Sequence, residues 1–236
     1  MQYDEPHFLV DREDTTVTTD KKYEAEDCPA LPCQTWVITQ KLEETALFIN
    51  QEDIKFGRGP GYTAGKFLCF SADDSSKKPA SKQAVPMKPI TELVALKRLK
   101  KMGCDVVPDL LGFQEETQGP DGFVPGGFIT FVVWEKVAGE PLGYDGFWNM
   151  NDNMRDSIRR KFRATYPKLL HCGIKPCIQS TSKLIVDTSN EEMHISGFSQ
   201  AAFVEPTEEW PDANFALFGL ANPPEKNGND VYPCFN

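Results

Sequence analysis

In the stretch HCGIKPCIQSTSKLIVD, His171 to Asp187, a thiol, a carboxamide and an amine stand close together at Cys177, Gln179 and Lys183. Each can donate a hydrogen bond to a carbonyl or an oxyanion. One such donor aimed at developing charge is worth roughly 3 to 4 kcal/mol of transition-state stabilisation. Asp187 closes an apolar run just before TSNEE, where an aspartate ordinarily makes the turn. The cysteines raise a second chemistry. Cys28 and Cys33 are spaced C-x4-C, as are Cys172 and Cys177, a set of four thiolates that zinc could take. Structural zinc sites usually have tighter knuckles with their own turn residues, so buried, inert thiols are the commoner outcome of this spacing. The seven cysteines are an odd number and no export signal precedes them, so reduced thiols are expected rather than a disulfide framework.

A chain of 236 residues can bury a substantial core and fits one domain or one two-lobed unit. No apolar run approaches the roughly 18 residues of a membrane span, so no membrane partner is expected. The acidic start MQYDEPHFLVDRED lacks the basic-then-apolar pattern of a secretory signal, and a cytoplasmic location is expected. The net charge of -10 is unevenly spread: residues 1 to 27 hold nine acidic against three basic side chains, and the body is close to balanced. A nucleic-acid binder concentrates basic residues on one face; none do so here, which sets nucleic acid aside as a partner.

Residues 1 to about 34 are acidic, rich in Thr and Pro, and without sustained apolar period, so a mobile arm or an edge wrapping is expected. TWVITQKL, from Thr35, opens the folded body. IKFGRGPGYTAGKFLCF alternates around a glycine cluster and predicts two strands joined by a tight turn. SADDSSKKPASK, Ser71 to Lys82, predicts an exposed hairpin loop. ITELVALKRLKKMG predicts a helix with Leu93, Leu96, Leu99 and Met102 on one face, Thr91 as its cap and Gly103 as its stop. GGFITFVVWEKV reads as a buried central strand. In NDNMRDSIRRKFRATYPKLLHCG, Met154, Ile158, Phe162, Tyr166 and Leu169 form the stripe of a long helix. Arg155, Arg159, Arg160 and Arg163 take its other faces, which is more often a solvated surface than a ligand site. KLIVD and MHISGF flank TSNEE as a hairpin.

Strands, glycine turn, helix, strand, polar hinge, long helix, loop and hairpin, in that order, resemble the protein-kinase and aminoglycoside-phosphotransferase fold, in particular the short kinase-like proteins common in fungi. The resemblance spans roughly residues 50 to 205. It implies an α+β, protein-kinase-like two-lobed fold: an acidic flexible arm over residues 1–34, a small β-rich N-lobe with one helix over 35–137, and a truncated, mainly helical C-lobe with a β-hairpin over 138–236. Glu92 matches the family's helix glutamate, and Lys82 is the best match for the strand lysine it pairs with, at a short separation of ten residues. Trp134 falls at the gatekeeper position, where its bulk would shrink the nucleotide cavity. Glu135 starts the hinge and Gly139 lets the chain turn. GRGPG is a loose echo of the phosphate loop.

The catalytic motifs keep their spacing and lose their chemistry. Pro176 falls at the histidine of the catalytic loop, Ile178 at its aspartate and Lys183 at the asparagine five residues later. In HISGFS, Gly197 replaces the aspartate of the DFG motif and Ser199 its glycine. A kinase needs that first aspartate to orient the acceptor hydroxyl, and the other two residues to hold magnesium. A positioned base contributes about 10² to 10⁴ in rate and the metal several kcal/mol more. Losing both implies no useful phosphoryl transfer. Only 39 residues follow Gly197, too few for the helices that complete a kinase C-lobe and bind peptide.

The cleft between the lobes belongs to the fold and would outlast these losses. Trp134, Ile178, Leu184 and Phe198 map to its walls, with Lys82, Glu92 and Glu135 in the same pocket. GYDGFWNM and FALFGL put more aromatics nearby. Membership of an ordinary core explains most such residues, while an apolar cavity with a few polar groups is the default ligand site. The first expectation is a kinase-fold protein whose cleft binds an apolar small molecule and closes its rings without metal or other cofactor. An entropy trap contributes up to about 7 to 11 kcal/mol to such a reaction, and Lys183, Cys177, Gln179 or Lys82 would be the hydrogen-bond donor. The alternative is a non-catalytic pseudokinase that docks a protein partner through the acidic arm or the shortened C-lobe. An active phosphotransferase with displaced catalytic residues stands third.

Overall fold

The computed structural model describes residues 9, 12–19, 31–47, 62–72, 80–84, 90–120, 126–190, 192–206 and 210–222, with the backbone alone at 47, 62 and 80–84. Six strands form one antiparallel sheet: β1 (Thr16–Thr18), β2 (Thr35–Leu47), β3 (Tyr62–Ser71), β4 (Ala80–Ala84), β5 (Leu110–Thr117) and β6 (Phe128–Trp134). They lie side by side in the order β1-β2-β3-β4-β6-β5. One helix, α1 (Thr91–Lys101), carries the chain from β4 to β5.

Period-2 alternation in β6 explains why this sheet is covered on both faces. Ile129, Phe131 and Val133 point one way, into clusters with Val17, Ile38, Phe67, Trp36 and Cys69. Val132 and Trp134 point the other way, against the helix side of the sheet. A strand with both faces buried reads as the continuous apolar run seen in FITFVVW. The far face is closed by the described part of the N-terminal segment, where Leu9 and Val17 are buried and Thr19 reaches β5. A Cβ on Gly112 would sit 2.5 Å from Thr19 Cγ2, so glycine there is what lets the two chains touch. In the described part of the first 34 residues, Thr16–Thr18 pair antiparallel with Thr35–Val37.

Past the linker that starts at Glu135, the chain runs through β7 (Glu140–Pro141), α2 (Tyr144–Trp148), α3 (Asp152–His171), β8 (Ile174–Pro176), a 3₁₀ turn (Thr181–Lys183), β9 (Leu184–Asp187), β10 (Glu192–Ile195), β11 (Ala201–Phe203) and α4 (Ala213–Leu217). β10, β9 and β7 form one small antiparallel sheet; β11 and β8 form another. The fold is α+β with antiparallel sheets. Among the described residues, no helix is long and apolar enough to cross a membrane.

Helix α3 starts where the Asn151 side chain accepts the Met154 N–H at 3.0 Å. Its stripe of Ile158, Phe162, Tyr166 and Leu169 is buried. Phe162 packs against Phe218, Trp210 and Tyr166 at ring separations of 4.7, 5.3 and 5.3 Å. The aromatics of GYDGFWNM and FALFGL go the same way: Phe147 and Phe218 are fully enclosed in this core. Arg160 and Arg163 are exposed, as a solvated face predicts, and Arg155 lies over Trp148, Arg159 over Phe147 and Arg163 over Trp210, at 5.2, 5.5 and 6.0 Å. Their stems cover apolar surface while Asp152, Asp156 and Asp212 take their charge.

Several sequence expectations are corrected. Met102 and Met154 leave their stripes and are 48% and 46% exposed, because each sits at a helix end beyond the packed turns. The residue capping α1 is Ile90, with no side-chain cap, and Thr91 is the first helical residue. Gly103 does stop that helix, at φ +64°. The polar run expected as a loop gives Ser71 to β3 and residues 80–82 to β4, and the glycine turn GRGPG lies outside the described residues. Strand β5 was not legible: LLGFQEET turns from apolar to charged midway, and it is a sheet edge.

Phe162→Ala should lower stability by about 3–5 kcal/mol, since its ring touches four others and nothing can collapse into its place. A urea titration should show a lower midpoint with an unchanged slope.

Candidate functional site

Two strand pairings bring the candidate loop against a second segment. β8 pairs with β11, so the Cys177 N–H donates to the Gln200 carbonyl at 2.8 Å. β9 pairs with β10, so the Ser196 N–H donates to the Lys183 carbonyl at 2.8 Å. Residues 177–183 and 196–200 therefore face each other between two anchored ends.

The meeting point is Lys183 and Gly197. Gly197 is left-handed, at φ +84°, a conformation that glycine takes without strain. The Lys183 side chain lies on it: a Cβ built at Gly197 would stand 2.6, 2.9 and 3.0 Å from Cδ, Cε and Nζ. The ammonium thus ends where a side chain at position 197 would begin. Lys183 is half-buried, and its Nζ has no hydrogen-bond or ion-pair partner among the described residues. Asp187, the carboxylate nearest in sequence, is occupied by its own turn. It accepts the N–H of Ser189 at 2.8 Å and the Asn190 side-chain amide at 2.8 Å, and the Ser189 bond above all holds its carboxyl below the usual range.

The remaining site candidates divide. Gln179 donates to the Tyr166 hydroxyl over 3.4 Å, and Cys177 is exposed on the same loop. Ile178 is 40% exposed. Leu184 and Phe198, expected as cleft walls, are fully packed in the main core with Leu96 and Phe162. Trp134 is half-buried against that core, and Glu135 is exposed, its N–H donating to the Asp109 carbonyl at 2.8 Å. Glu92 is buried on α1. Lys82 sits mid-strand in β4, in register with Lys66 and Val132. The hinge turn falls at Gly139, φ +95°, where a Cβ would strike the Val186 carbonyl at 2.5 Å.

Three of the four cysteines spaced C-x4-C lie among the described residues. Cys172 is buried and Cys177 exposed, while the Cys104 thiol contacts Cys172 and is pushed up to about 12, chiefly by burial. Cys28 lies outside the described residues, and Cys33 is exposed. Among the described residues, no cluster of three or more His, Cys, Asp or Glu could hold a metal ion.

One positioning residue was invisible in the sequence. Arg98, in the last turn of α1, donates from Nε to the Cys172 carbonyl at 2.9 Å and lies on Gly173, φ +72°. It ties the crossover helix to the end of α3, just before β8 begins. A lone arginine at a helix end carries no pattern that announces such a contact.

No family model matches the chain, and no curated protein does. Among solved structures, the kinase PK-1 of Cydia pomonella granulovirus is similar at 13% identity and a TM-score of 0.45. The match covers 71% of this chain and 52% of that one, so the chain spans about half the length of the viral kinase.

Gly197→Ala should cost about 1–2 kcal/mol from the left-handed backbone alone, plus the clash with Lys183. In a Lys183→Ala background the penalty should shrink to the backbone part, as read from urea midpoints of the four proteins. A second expectation concerns alkaline pH. Burial pushes the Tyr166 hydroxyl up to about 12 from 10.0, so the unfolded chain ionises first. The stability this confers is complete below pH 10 and is lost as pH rises toward 12. Tyr166→Phe should flatten that part of the pH–stability curve.

Proposed function

We propose that this chain is a kinase-like, two-lobed protein that does not transfer phosphoryl groups and acts by binding. Its connectivity supports the fold: β2-β3-β4-β6-β5 in one antiparallel sheet, helix α1 between β4 and β5, a linker from Glu135, the long helix α3, then a loop held by two strand pairs. This is the arrangement that the sequence resemblance implies.

The observation that carries the functional reading is Lys183 lying on Gly197. Phosphoryl transfer requires two magnesium ligands and a base at this place. Here one ligand position is a bare glycine, the other is an ammonium resting on it, and the base position is the exposed Ile178. An ammonium within a few ångströms repels a divalent cation in any dielectric. The two departures are sterically joined, since the lysine fills the room that an aspartate side chain would need.

Between a ring-closing enzyme and a binding protein, packing favours the second. An enzyme that works by shape needs apolar walls around its substrate. Leu184 and Phe198 are committed to the core, leaving Trp134 and Ile178 of the expected walls. Cys177 is exposed, and the Gln179 amide donates to the Tyr166 hydroxyl at 3.4 Å.

Thermal-shift measurement with ATP, in magnesium and in EDTA, tests the reading. Magnesium should add nothing to any shift that ATP produces, and no phosphate should pass to the protein itself or to a generic acceptor. A rise in Tm that needs nucleotide and magnesium together would overturn it.

A further inference from the structure

Two thiols meet where the halves of the chain join. Cys104 follows the last turn of α1, and Cys172 is the residue that caps α3. Both belong to the shared core: Cys172 is 4% exposed within it, and the half-buried Cys104 packs against it. Their side chains are joined by a thiol–thiol hydrogen bond.

The backbone holds each sulfur in place. The Cys104 N–H donates to the Leu99 carbonyl at 3.0 Å. The Cys172 N–H donates to the carbonyls of Leu169 and Lys168 at 3.1 and 3.3 Å, and the Cys172 carbonyl accepts Arg98 Nε at 2.9 Å. Residues beside Cys104 are tied to the same end of the C-terminal half. Asp105 pairs with Lys168, one helical turn before Cys172, at 3.0 Å, and the Val106 carbonyl accepts the Ile195 N–H at 2.8 Å. Two free thiols in contact on anchored backbone have the placement that a disulfide requires.

We propose that Cys104 and Cys172 form a reversible disulfide with a hydroperoxide as oxidant, a covalent staple between the segment after α1 and the end of α3. Cys104 is the sulfur that a small oxidant reaches first, being the less buried of the two. Its sulfur attacks one peroxide oxygen, the O–O bond breaks, and the departing hydroxide takes the thiol proton as water, leaving a sulfenic acid. The Cys172 sulfur, already in contact, attacks the sulfenic sulfur; the S–O bond breaks and a second water leaves with the Cys172 proton. Two thiols and one hydrogen peroxide become one disulfide and two waters. Burial pushes the Cys104 thiol up to about 12, so it keeps its proton at neutral pH and reacts slowly. The pair therefore answers sustained rather than brief exposure to oxidant. This inference is independent of the loop at Lys183.

Overnight treatment of the full chain with hydrogen peroxide tests it, followed by denaturation, alkylation and peptide mapping of the monomer. A linked Cys104–Cys172 peptide should appear, lighter by two hydrogens and lost on treatment with a phosphine. Closing the long loop between the two positions should raise Tm by roughly 5–10 °C in the oxidised monomer. Cys104→Ala and Cys172→Ala should each remove that rise. The Tm of reduced Cys104→Ala should stay near that of the reduced wild type, since the side chain is only half-buried, which separates a lost staple from a lost fold. Recovery of both cysteines as alkylated thiols would overturn the inference. So would a sulfinic acid at Cys104 with no link to Cys172, or a linked monomer whose Tm does not rise.

Discussion

The structure depends on where the leucines of α1 are buried. Leu93, Leu96 and Leu99 leave water on the same helix face, and what covers them comes from both halves of the chain. Leu110, Phe113 and Val132 of the sheet close one side; Phe162 and Leu169 of α3, with Leu184, Ile195 and Phe198, close the other. Each such side chain gains roughly 1.5–3 kcal/mol by leaving water. The two halves therefore share one core, and Arg98 adds a polar tie from the same helix to the Cys172 carbonyl. The Ile195 N–H, bonded to the Val106 carbonyl at 2.8 Å, adds another beside it.

This shared core sets what the loop between β8 and β9 can do. Leu184 and Phe198 are drawn into it from either side of the Lys183–Gly197 contact, so the backbone there is pinned at both ends. The loop's shape comes from packing and strand pairing. Cys177 and Ile178 lie outside that packing and are exposed, and Lys183 is half-buried.

Much of the fold was legible in the residues. The central strand Phe128–Trp134, the two longer helices and the β9–β10 hairpin show strong period-2 or period-3.6 patterns, and each is where those patterns place it. The edge strands and the short elements were not legible. β1 and β8 have three residues apiece, and β4 is Ala-Ser-Lys-Gln-Ala, a strand only because β3 and β6 pair with it on both sides. For the site, residue type named Lys183 and the family resemblance pointed to Gly197, but neither said anything of their contact. They were silent on Arg98, and they overstated the cleft by assigning it Leu184 and Phe198, which the core claims.

Composition and order alone carried the apolar periods of the two longer helices and of the central strand, and placed Lys183 and Gly197 in the stretches that flank the β9–β10 hairpin. These are local properties, carried by residue type and periodicity. Only the tertiary structure decided that the Lys183 stem lies on Gly197, that the arginines of α3 cover rings, and that the N-terminal strand closes the sheet over Gly112. Those contacts join residues far apart in the chain, and their partners are chosen by which surfaces packing brings together. No local pattern encodes that choice.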